Sequence, residues 1–224
     1  MEFREDFPAL YPILDASYLP ADHRARFLRD MVRGLAAAGV GILQYRNKRG
    51  NEAEILADAR LMRAAADGAS MRLILNDWPE LTVAADFDGV HVGQTDMSPA
   101  AARTIVGAGR MVGVSTHSEA QLRAADAMPV DYIAMGPVFA TATKENPDPV
   151  VGLEGIRLAR AMTRKPLVAI GGITAANAAQ VRAAGADSVA VISAIFSSGD
   201  DPATRARELL RVLGAKVELL PREF

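Results

Sequence analysis

The chain has 224 residues, half of them hydrophobic, and its 25 basic and 27 acidic residues leave a net charge of −2. A chain of this size buries a full core, so we expect one globular domain over residues 1–224, and its near-neutral charge excludes a general attraction to nucleic acid or anionic membranes. The absence of cysteine excludes disulfides, thiolate metal sites and cysteine nucleophiles.

The segment MEFREDFPAL at the start has no apolar stretch typical of a signal peptide. No apolar run in the chain approaches the roughly 20 residues that a membrane helix requires. We therefore expect a cytoplasmic protein. The three histidines, His23, His91 and His117, show no HExxH spacing, which argues against a histidine zinc site.

Short apolar runs alternate with alanine-rich stretches along the chain. The strand candidates, in order, are ALYPIL, GILQYR, RLILN, GVHV, MVGVS, YIAMG, LVAIGG and SVAVIS. The intervening stretches, from HRARFLRDMVRGLAAAG to PATRARELLRVLG, have helix-forming composition. Their ends carry helix signals, namely Ser98 before Pro99, Ser118 with Gln121 as a capping box, and the stop glycines Gly39, Gly68 and Gly185.

Eight βα units in series predict an α/β fold with a parallel sheet covered by helices. The number eight favours closure into a (β/α)8 TIM barrel in a single domain. A doubly wound open sheet would explain the alternation equally well, but no GxGxxG motif follows the first strand. Pro12 is expected to interrupt that first strand.

Polar residues gather where the predicted strands end, and in a βα barrel those ends form one mouth that carries the active site. In the second strand, alternation points Gln44, Arg46 and Lys48 to one face, a costly arrangement unless an anion binds there. The third strand ends in Asn76 and Asp77. The later strand ends carry His91, Gln94, Asp96, Ser115, Gly136, Gly171, Gly172, Ile192 and Ser193.

Asp77 and Asp96 follow neighbouring strands, which lie roughly 4.8 Å apart, so both can reach one ion. Two carboxylates with water and phosphate oxygens are a usual set of Mg²⁺ ligands. The alternative is that Asp77 caps the next helix and that Asp96 belongs to the turn before Ser98. Together, opposite Arg46 and Lys48, the two aspartates favour a metal and a phosphate.

A second anion site is predicted at the ends of the seventh and eighth strands. Gly171 and Gly172 carry no Cβ, so their backbone N–H groups can approach a ligand closely, and in such barrels this region often binds phosphate. The loop from Gly136 to Gly152 is long enough to be a lid. It carries Thr141, Thr143 and Lys144, which can reach phosphate oxygens, although Lys144 taken alone is more typical of a solvated surface lysine. Two phosphorylated substrates, or one long bisphosphate, would fit these two sites.

Two histidines have open interpretations. His91 has the parity of an inward-facing residue, and it is either a core histidine bonded to its surroundings or a contact for a heterocycle. His117 either helps to begin the next helix or meets a ligand.

The motifs QYRNK, LILNDW, GVHVGQTD, GVSTHS, DYIAMGPVFATATK, GLEGI, VAIGGI and VAVISAIF, in this order from about Gly41 to Phe196, resemble the successive signatures of the thiamine phosphate synthase family. The resemblance implies a (β/α)8 transferase that uses Mg²⁺. It joins 4-amino-2-methyl-5-(diphosphooxymethyl)pyrimidine to 4-methyl-5-(2-phosphoethyl)thiazole, or its carboxylate, and gives thiamine monophosphate and pyrophosphate. No nucleic acid or membrane partner is implied.

The same resemblance implies roles for individual residues. Gln44 and His91 would contact the aminopyrimidine, and Asp77 and Asp96 would hold Mg²⁺. The pyrophosphate would be held by Arg46, Lys48, Asn76, Ser115 and Lys144, of which Arg46, Lys48, Ser115 and Lys144 are the catalytic candidates. The thiazole phosphate would be held by Thr141, Thr143, Gly172, Ile192 and Ser193.

The chain departs from the family pattern in two places. It has LYPILDASYLP where LYLITD is common, so Pro12 puts a first-strand contact with the pyrimidine in doubt, and FATATK lacks the proline that often follows the phenylalanine. Two other functions stay open, a paralogue that isomerises the thiazole carboxylate phosphate and a catalytically silent sensor of thiamine precursors. The paralogue tends to lose the pyrophosphate and metal residues that are present here, and no DNA-binding helix pair supports the sensor.

Overall fold

A computed structural model describes residues 6–141, 148–197, 199 and 201–215. In these residues eight parallel strands pair in sequence order and close into a barrel, β1 against β8. The strands are β1 (Leu10–Asp15), β2 (Ile42–Arg46), β3 (Arg72–Asn76), β4 (Gly89–Val92), β5 (Met111–Thr116), β6 (Tyr132–Met135), β7 (Leu167–Ile170) and β8 (Ser188–Val191). The expectation of a closed (β/α)8 barrel is confirmed, and the open doubly wound sheet is excluded.

A helix follows each strand, and β8 is followed by two. The helices are α1 (Arg24–Ala37), α2 (Glu52–Ala65), α3 (Pro79–Ala84), α4 (Pro99–Val106), α5 (Glu119–Asp126), α6 (Gly152–Met162), α7 (Ala178–Ala183), α8 (Ser193–Phe196) and α9 (Pro202–Val212). A 3-10 turn, Ala16–Tyr18, follows β1. None of the helices in the described part of the chain is long and apolar enough to cross a membrane.

Strand parity divides the core into two layers. The inner layer fills the barrel with Tyr11, Ile13, Ile42, Ile74, Tyr132, Ala134, Val168 and Ala190. The outer layer, including Leu43 and Tyr45 of β2, packs between the strands and the helices. Gln44 therefore faces the barrel interior with Ile42, as the sequence predicted.

The helix signals behave largely as expected. The Ser98 hydroxyl accepts a hydrogen bond from the Ala101 N–H, and the predicted stop glycines Gly39, Gly68 and Gly185 all have positive φ. The capping box at Ser118 is only half formed, because the Gln121 side chain accepts from the His117 N–H instead of returning to Ser118.

Pro12 does not interrupt β1, and this expectation was wrong. The strand runs through it, with Pro12 in register with Val191 of β8. Proline fixes φ near a value that an extended chain tolerates, so its cost is one missing N–H donor and not the loss of the strand. The end of β8 also differs from the prediction, because the strand stops at Val191, and Ile192 precedes helix α8.

Three aspartates at the rim opposite the mouth make the same set of contacts, which we call the aspartate clasp. They lie immediately before β4, β6 and β8. Asp88, Asp131 and Asp187 each accept a hydrogen bond from the first or second N–H of the preceding strand, at 2.7, 2.7 and 2.9 Å. Each also pairs with an arginine on the helix that leads into that preceding strand, respectively Arg63 of α2, Arg103 of α4 and Arg160 of α6. The repetition links the starts of β4, β6 and β8 to the neighbouring strands β3, β5 and β7 and to the helices α2, α4 and α6 that lead into those strands, and so stabilises closure of the barrel.

Candidate active site

The mouth of the barrel brings a lysine and two aspartates together. The Lys48 ammonium, on the loop after β2, lies 2.5 Å from Asp77 Oδ2 and 3.7 Å from Asp96 Oδ1. These carboxylates follow β3 and β4, so three consecutive strand ends meet at one cation. The grouping predicted from the strand ends is confirmed for these residues. A cleft of about 520 Å³ opens over them.

Asp77 does not cap the following helix. Trp78 occupies the position before α3 and makes no side-chain cap bond. Asp77 instead has φ +71°, a left-handed conformation that is uncommon outside glycine. Such a backbone persists where the surroundings enforce it and is concentrated at functional sites. Here it accompanies a half-buried carboxylate that contacts Lys48.

Asp96 serves both of the alternatives considered for it. Its Oδ2 accepts a hydrogen bond from the Gly93 N–H at 2.8 Å, which closes the turn after β4. Its Oδ1 faces Lys48. The turn holds the carboxylate in place, and the second oxygen remains directed at the cation site.

The pKa values of Asp77 and Asp96 are shifted in opposite directions. Burial raises the pKa of Asp77 to about 6, although Lys48 opposes the shift. Burial also acts on Asp96, but hydrogen bonds from the Asp77 carboxyl and the Gly93 N–H, with the charge of Lys48, outweigh it and lower the pKa of that group. When Lys48 is the only cation beside the pair, Asp77 is therefore the carboxyl group that binds a proton in mildly acidic solution.

The same pair fits a magnesium ion. One ammonium contacts both carboxylates, so one cation can be shared between them. Magnesium in phosphoryl enzymes is usually bound by one or two carboxylates with water and substrate phosphate completing the octahedron. In the described parts of the chain no group of three or more His, Asp or Glu side chains gathers as a metal cage. A two-carboxylate site open to substrate oxygens is the arrangement that these residues offer.

Arg46, at the end of β2, pairs with Asp15 at the end of β1. Burial raises the proton affinity of Asp15, but hydrogen bonds from Ser17 and the Arg46 charge prevail and lower its pKa. The carboxylate therefore stays ionised and holds the guanidinium, which is 29% exposed, at the mouth. Asp15 was not among the predicted residues. The parity rule that was applied to β2 places Asp15, when applied to β1, on the inward face of that strand with Tyr11 and Ile13.

A chain of side-chain hydrogen bonds crosses the barrel beneath these charges. Gln44 Nε2 donates to the Tyr11 hydroxyl at 3.1 Å, and the Tyr11 and Tyr132 hydroxyls share a hydrogen bond of 2.7 Å. The chain continues to His91 Nδ1 at 3.0 Å, and His91 Nε2 lies 2.8 Å from the Ser115 hydroxyl. Gln44, His91 and Ser115 are thus joined through two tyrosines that the sequence reasoning missed, although both occupy inward positions of their strands.

His91 is a neutral residue of the barrel interior. It is 7% exposed, stacks on the Tyr132 ring and uses both ring nitrogens in protein hydrogen bonds. Burial lowers its pKa to about 4. This environment matches the core alternative, and it makes the Ser115 hydroxyl the group through which His91 reaches the mouth.

The glycine pair after β7 packs against the loop that leaves β6. Gly172 has φ +64°, and a Cβ there would lie 2.6 Å from the Ala140 carbonyl oxygen. A Cβ on Gly171 would lie 2.5 Å from Pro137. The absence of side chains is therefore required by this loop packing, an explanation that the sequence reasoning did not consider. The packing places the Ala140 carbonyl, one residue before Thr141, beside the end of β7.

The remaining predicted residues divide into two groups. Asn76 is buried at the end of β3, while Ile192 is half-buried and Ser193 is exposed at the start of α8. Thr143 and Lys144 lie outside the described residues.

His117 takes part in the β6–α6 connection as well as in a helix start. Its N–H donates to Gln121 in α5. Its ring Nδ1 lies 2.6 Å from the Gly136 carbonyl oxygen, and Nε2 lies 3.5 Å from Asp148 Oδ2. The helix-start alternative is confirmed for the backbone, while the ring links the two described arms of the loop.

Comparison with known proteins identifies one family. A family model described as thiamine monophosphate synthase matches residues 10–195. The thiamine-phosphate synthase of Koribacter versatilis is 50% identical over 206 residues, 92% of this chain and 96% of its own. That of Chloroflexus aurantiacus is 38% identical over 93% of this chain and 94% of its own. Among solved structures, a thiamine phosphate pyrophosphorylase from Pyrococcus furiosus superposes with TM-score 0.80 at 29% identity, covering 92% of this chain and 95% of its own.

Proposed function

The chain belongs to the thiamine monophosphate synthase family, and on this premise we propose how its barrel mouth carries out the coupling. The enzyme is a transferase. It joins 4-amino-2-methyl-5-(diphosphooxymethyl)pyrimidine to 4-methyl-5-(2-phosphoethyl)thiazole, or its carboxylate, and yields thiamine monophosphate and pyrophosphate. The observation that carries the proposal is the meeting of Lys48 with Asp77 and Asp96 at the mouth.

The chemistry explains why charge, and not a protein nucleophile, dominates this mouth. The thiazole ring nitrogen attacks the pyrimidine methylene carbon with its own lone pair, so no serine or cysteine has to be activated. The bond from that carbon to the diphosphate oxygen breaks, and its electron pair leaves with pyrophosphate. With the carboxylated thiazole, CO₂ is also lost. The group that needs stabilisation is therefore the departing pyrophosphate.

Arg46 and Lys48 are proposed to stabilise the negative charge of the departing pyrophosphate. Each is held beside a carboxylate, Arg46 by Asp15 and Lys48 by Asp77, so their positions are set before the substrate arrives. Mg²⁺, held by Asp77 and Asp96, would neutralise further charge on the pyrophosphate. Asn76, Ser115 and Lys144 complete the proposed pyrophosphate contacts.

The two rings are assigned to different parts of the mouth. Gln44 and the Ser115–His91 pair border the interior, where the aminopyrimidine is proposed to bind against neutral donors and acceptors. The thiazole phosphate is assigned to the ends of β7 and β8, at Gly172, Ile192 and Ser193, with Thr141 and Thr143 as further proposed contacts. This separation places the diphosphate between the pyrimidine and the cationic group after β2.

The isomerase paralogue and the silent sensor are less well supported. An isomerase of the thiazole carboxylate phosphate releases no pyrophosphate and has no use for Lys48 between two carboxylates. A sensor would not require that charge arrangement either. The setting that we propose is a single-domain cytoplasmic enzyme acting on small molecules, in keeping with its lack of cysteine.

The direct test mixes the purified protein with both phosphorylated heterocycles and Mg²⁺ and measures thiamine monophosphate by oxidation to its fluorescent derivative. We expect product and equimolar pyrophosphate, loss of both with a chelator, and recovery with added Mg²⁺. No product from either thiazole would refute the function. Full activity in metal-free buffer would refute the metal assignment while leaving the coupling intact.

A further inference from the structure

We propose that Tyr45 is a positioning residue whose hydroxyl, acting through Asn47, holds the loop that presents Lys48 to the pyrophosphate. The inference rests on the proposed function and extends it to residues on the outer face of the barrel. The Tyr45 side chain packs in the layer between the strands and the helices, and its hydroxyl bonds Asp58, Arg24 and Asn47, none of which is assigned to substrate.

The Tyr45 hydroxyl uses its whole hydrogen-bonding capacity. It donates to Asp58 of α2 and accepts from Arg24 Nη2 and from Asn47 Nδ2, both at 3.2 Å. A phenol has one donor and two acceptor positions, so all three are occupied. Tyr45 is fully buried and Asp58 is 4% exposed, and Arg24 Nε lies 3.0 Å from each Asp58 oxygen. This polar group is rigidly anchored between β2, α1 and α2.

Asn47 carries that anchor into the loop. Its Nδ2 binds the anchored hydroxyl, and its Oδ1 accepts from the backbone N–H groups of Arg49, at 3.2 Å, and Gly50, at 2.8 Å. The amide closes a ring of backbone around Lys48. A Cβ at position 50 would lie 2.4 Å from Asn47 Nδ2, so the Asn47 amide fits here because residue 50 is a glycine.

The ring sets the backbone position from which the Lys48 side chain reaches Asp77 and Asp96. The side chain is 44% exposed and has four rotatable bonds, and lysine is among the side chains that lose the most rotamer entropy when they are ordered. A rigid Cα position reduces what remains to be ordered. In catalysis a displacement of about 1 Å can cost about 10²-fold in rate. The hydroxyl of Tyr45 is thus placed to influence pyrophosphate without touching it.

The test is a double-mutant cycle of Tyr45→Phe and Lys48→Ala, measured with magnesium pyrophosphate as the probe. Phenylalanine keeps the ring in the core and removes only the hydroxyl. We expect Tyr45→Phe to weaken magnesium pyrophosphate binding by about fivefold in calorimetry and to lower kcat by about tenfold, on the scale of the single hydrogen bond that reaches Asn47, one of the three that the substitution removes. The KM for the thiazole phosphate should stay unchanged. In the Lys48→Ala background the same substitution should have no further effect, because coupled residues are not additive.

Asp131→Asn at the opposite rim is the stability control, since it weakens a clasp far from the mouth. It should leave the probe affinity unchanged. Amide exchange gives a local readout, and Tyr45→Phe should accelerate exchange at Arg49 and Gly50 more than at the strands. If Tyr45→Phe is too unstable to purify, Asn47→Ala enters the same cycle.

Equal effects of Tyr45→Phe with and without Lys48 would overturn the inference and leave the enzyme assignment standing. The converse case is also distinguishable. A wild-type protein that binds magnesium pyrophosphate but makes no thiamine monophosphate would refute the proposed function, while the binding cycle would still decide the role of Tyr45.

Discussion

Replacing Lys48 with alanine separates a catalytic role from a structural one. The Lys48 side chain is 44% exposed, so its ion pairs with Asp77 and Asp96 lie in a solvent-screened environment. Such pairs contribute about 0–1 kcal/mol to folding. For a protein of this length the loss shifts Tm by no more than about 4 °C.

The effect on catalysis should be much larger. A preorganised charge aimed at a developing anion is worth about 10²- to 10³-fold in kcat, which is about 2.7–4 kcal/mol. Lys48→Ala should therefore reduce thiamine monophosphate formation by that factor while the protein melts almost normally. Initial rates at saturating concentrations of both substrates, with calorimetric melting of the same samples, provide the comparison.

Lys165→Ala is the matched control. Lys165 lies before β7, at the rim opposite the mouth, and its ammonium donates to the Met128 carbonyl at 2.6 Å. Its removal should leave kcat within about twofold of wild type, since no developing charge is stabilised there. A loss of stability by Lys48→Ala well above 1 kcal/mol, with a proportionate loss of rate, would show that Lys48 is a structural ion-pair member and refute the reasoning.

Three other outcomes are expected. Gly172→Ala places a Cβ 2.6 Å from the Ala140 carbonyl at φ +64°, so it should destabilise the protein by about 1–3 kcal/mol and raise the KM for the thiazole phosphate more than that for the pyrimidine; equal changes in both would contradict the thiazole assignment. Asp131→Ala removes the acceptor of the Val112 N–H and of Arg103 Nη2, so the free energy of unfolding should fall by about 2–3 kcal/mol in denaturant titrations while kcat holds; an unchanged midpoint would refute the clasp. Burial lowers the pKa of His91 from its ordinary 6.5 to about 4, so as the pH falls the unfolded chain binds this proton before the folded protein does. About 3 kcal/mol of folding stability, fully present above pH 6.5, should therefore be lost as the pH falls from 6.5 to 4. A His91→Gln variant whose stability falls equally steeply over this pH range would show that His91 is not the cause.

Much of this molecule follows from local pattern. Alternation of apolar runs with alanine-rich stretches specified eight βα units, because strand and helix periods are read within a few residues. Parity within β2 placed Gln44 in the barrel and Tyr45 outside it. The rule that strand ends share one mouth then grouped Lys48 with Asp77 and Asp96.

Other features arise only when distant segments meet. The pairing of Arg46 with Asp15, the chain from Tyr11 to Ser115, and the packing of Gly172 against the β6 loop each join residues from different strands. Their partners are separated by 24 to 121 residues along the chain, and which side chains touch depends on barrel register and curvature. Local pattern determined which residues reach the mouth. Closure of the barrel decided which of them touch, since contact distances and burial exist only once the strands have taken their places.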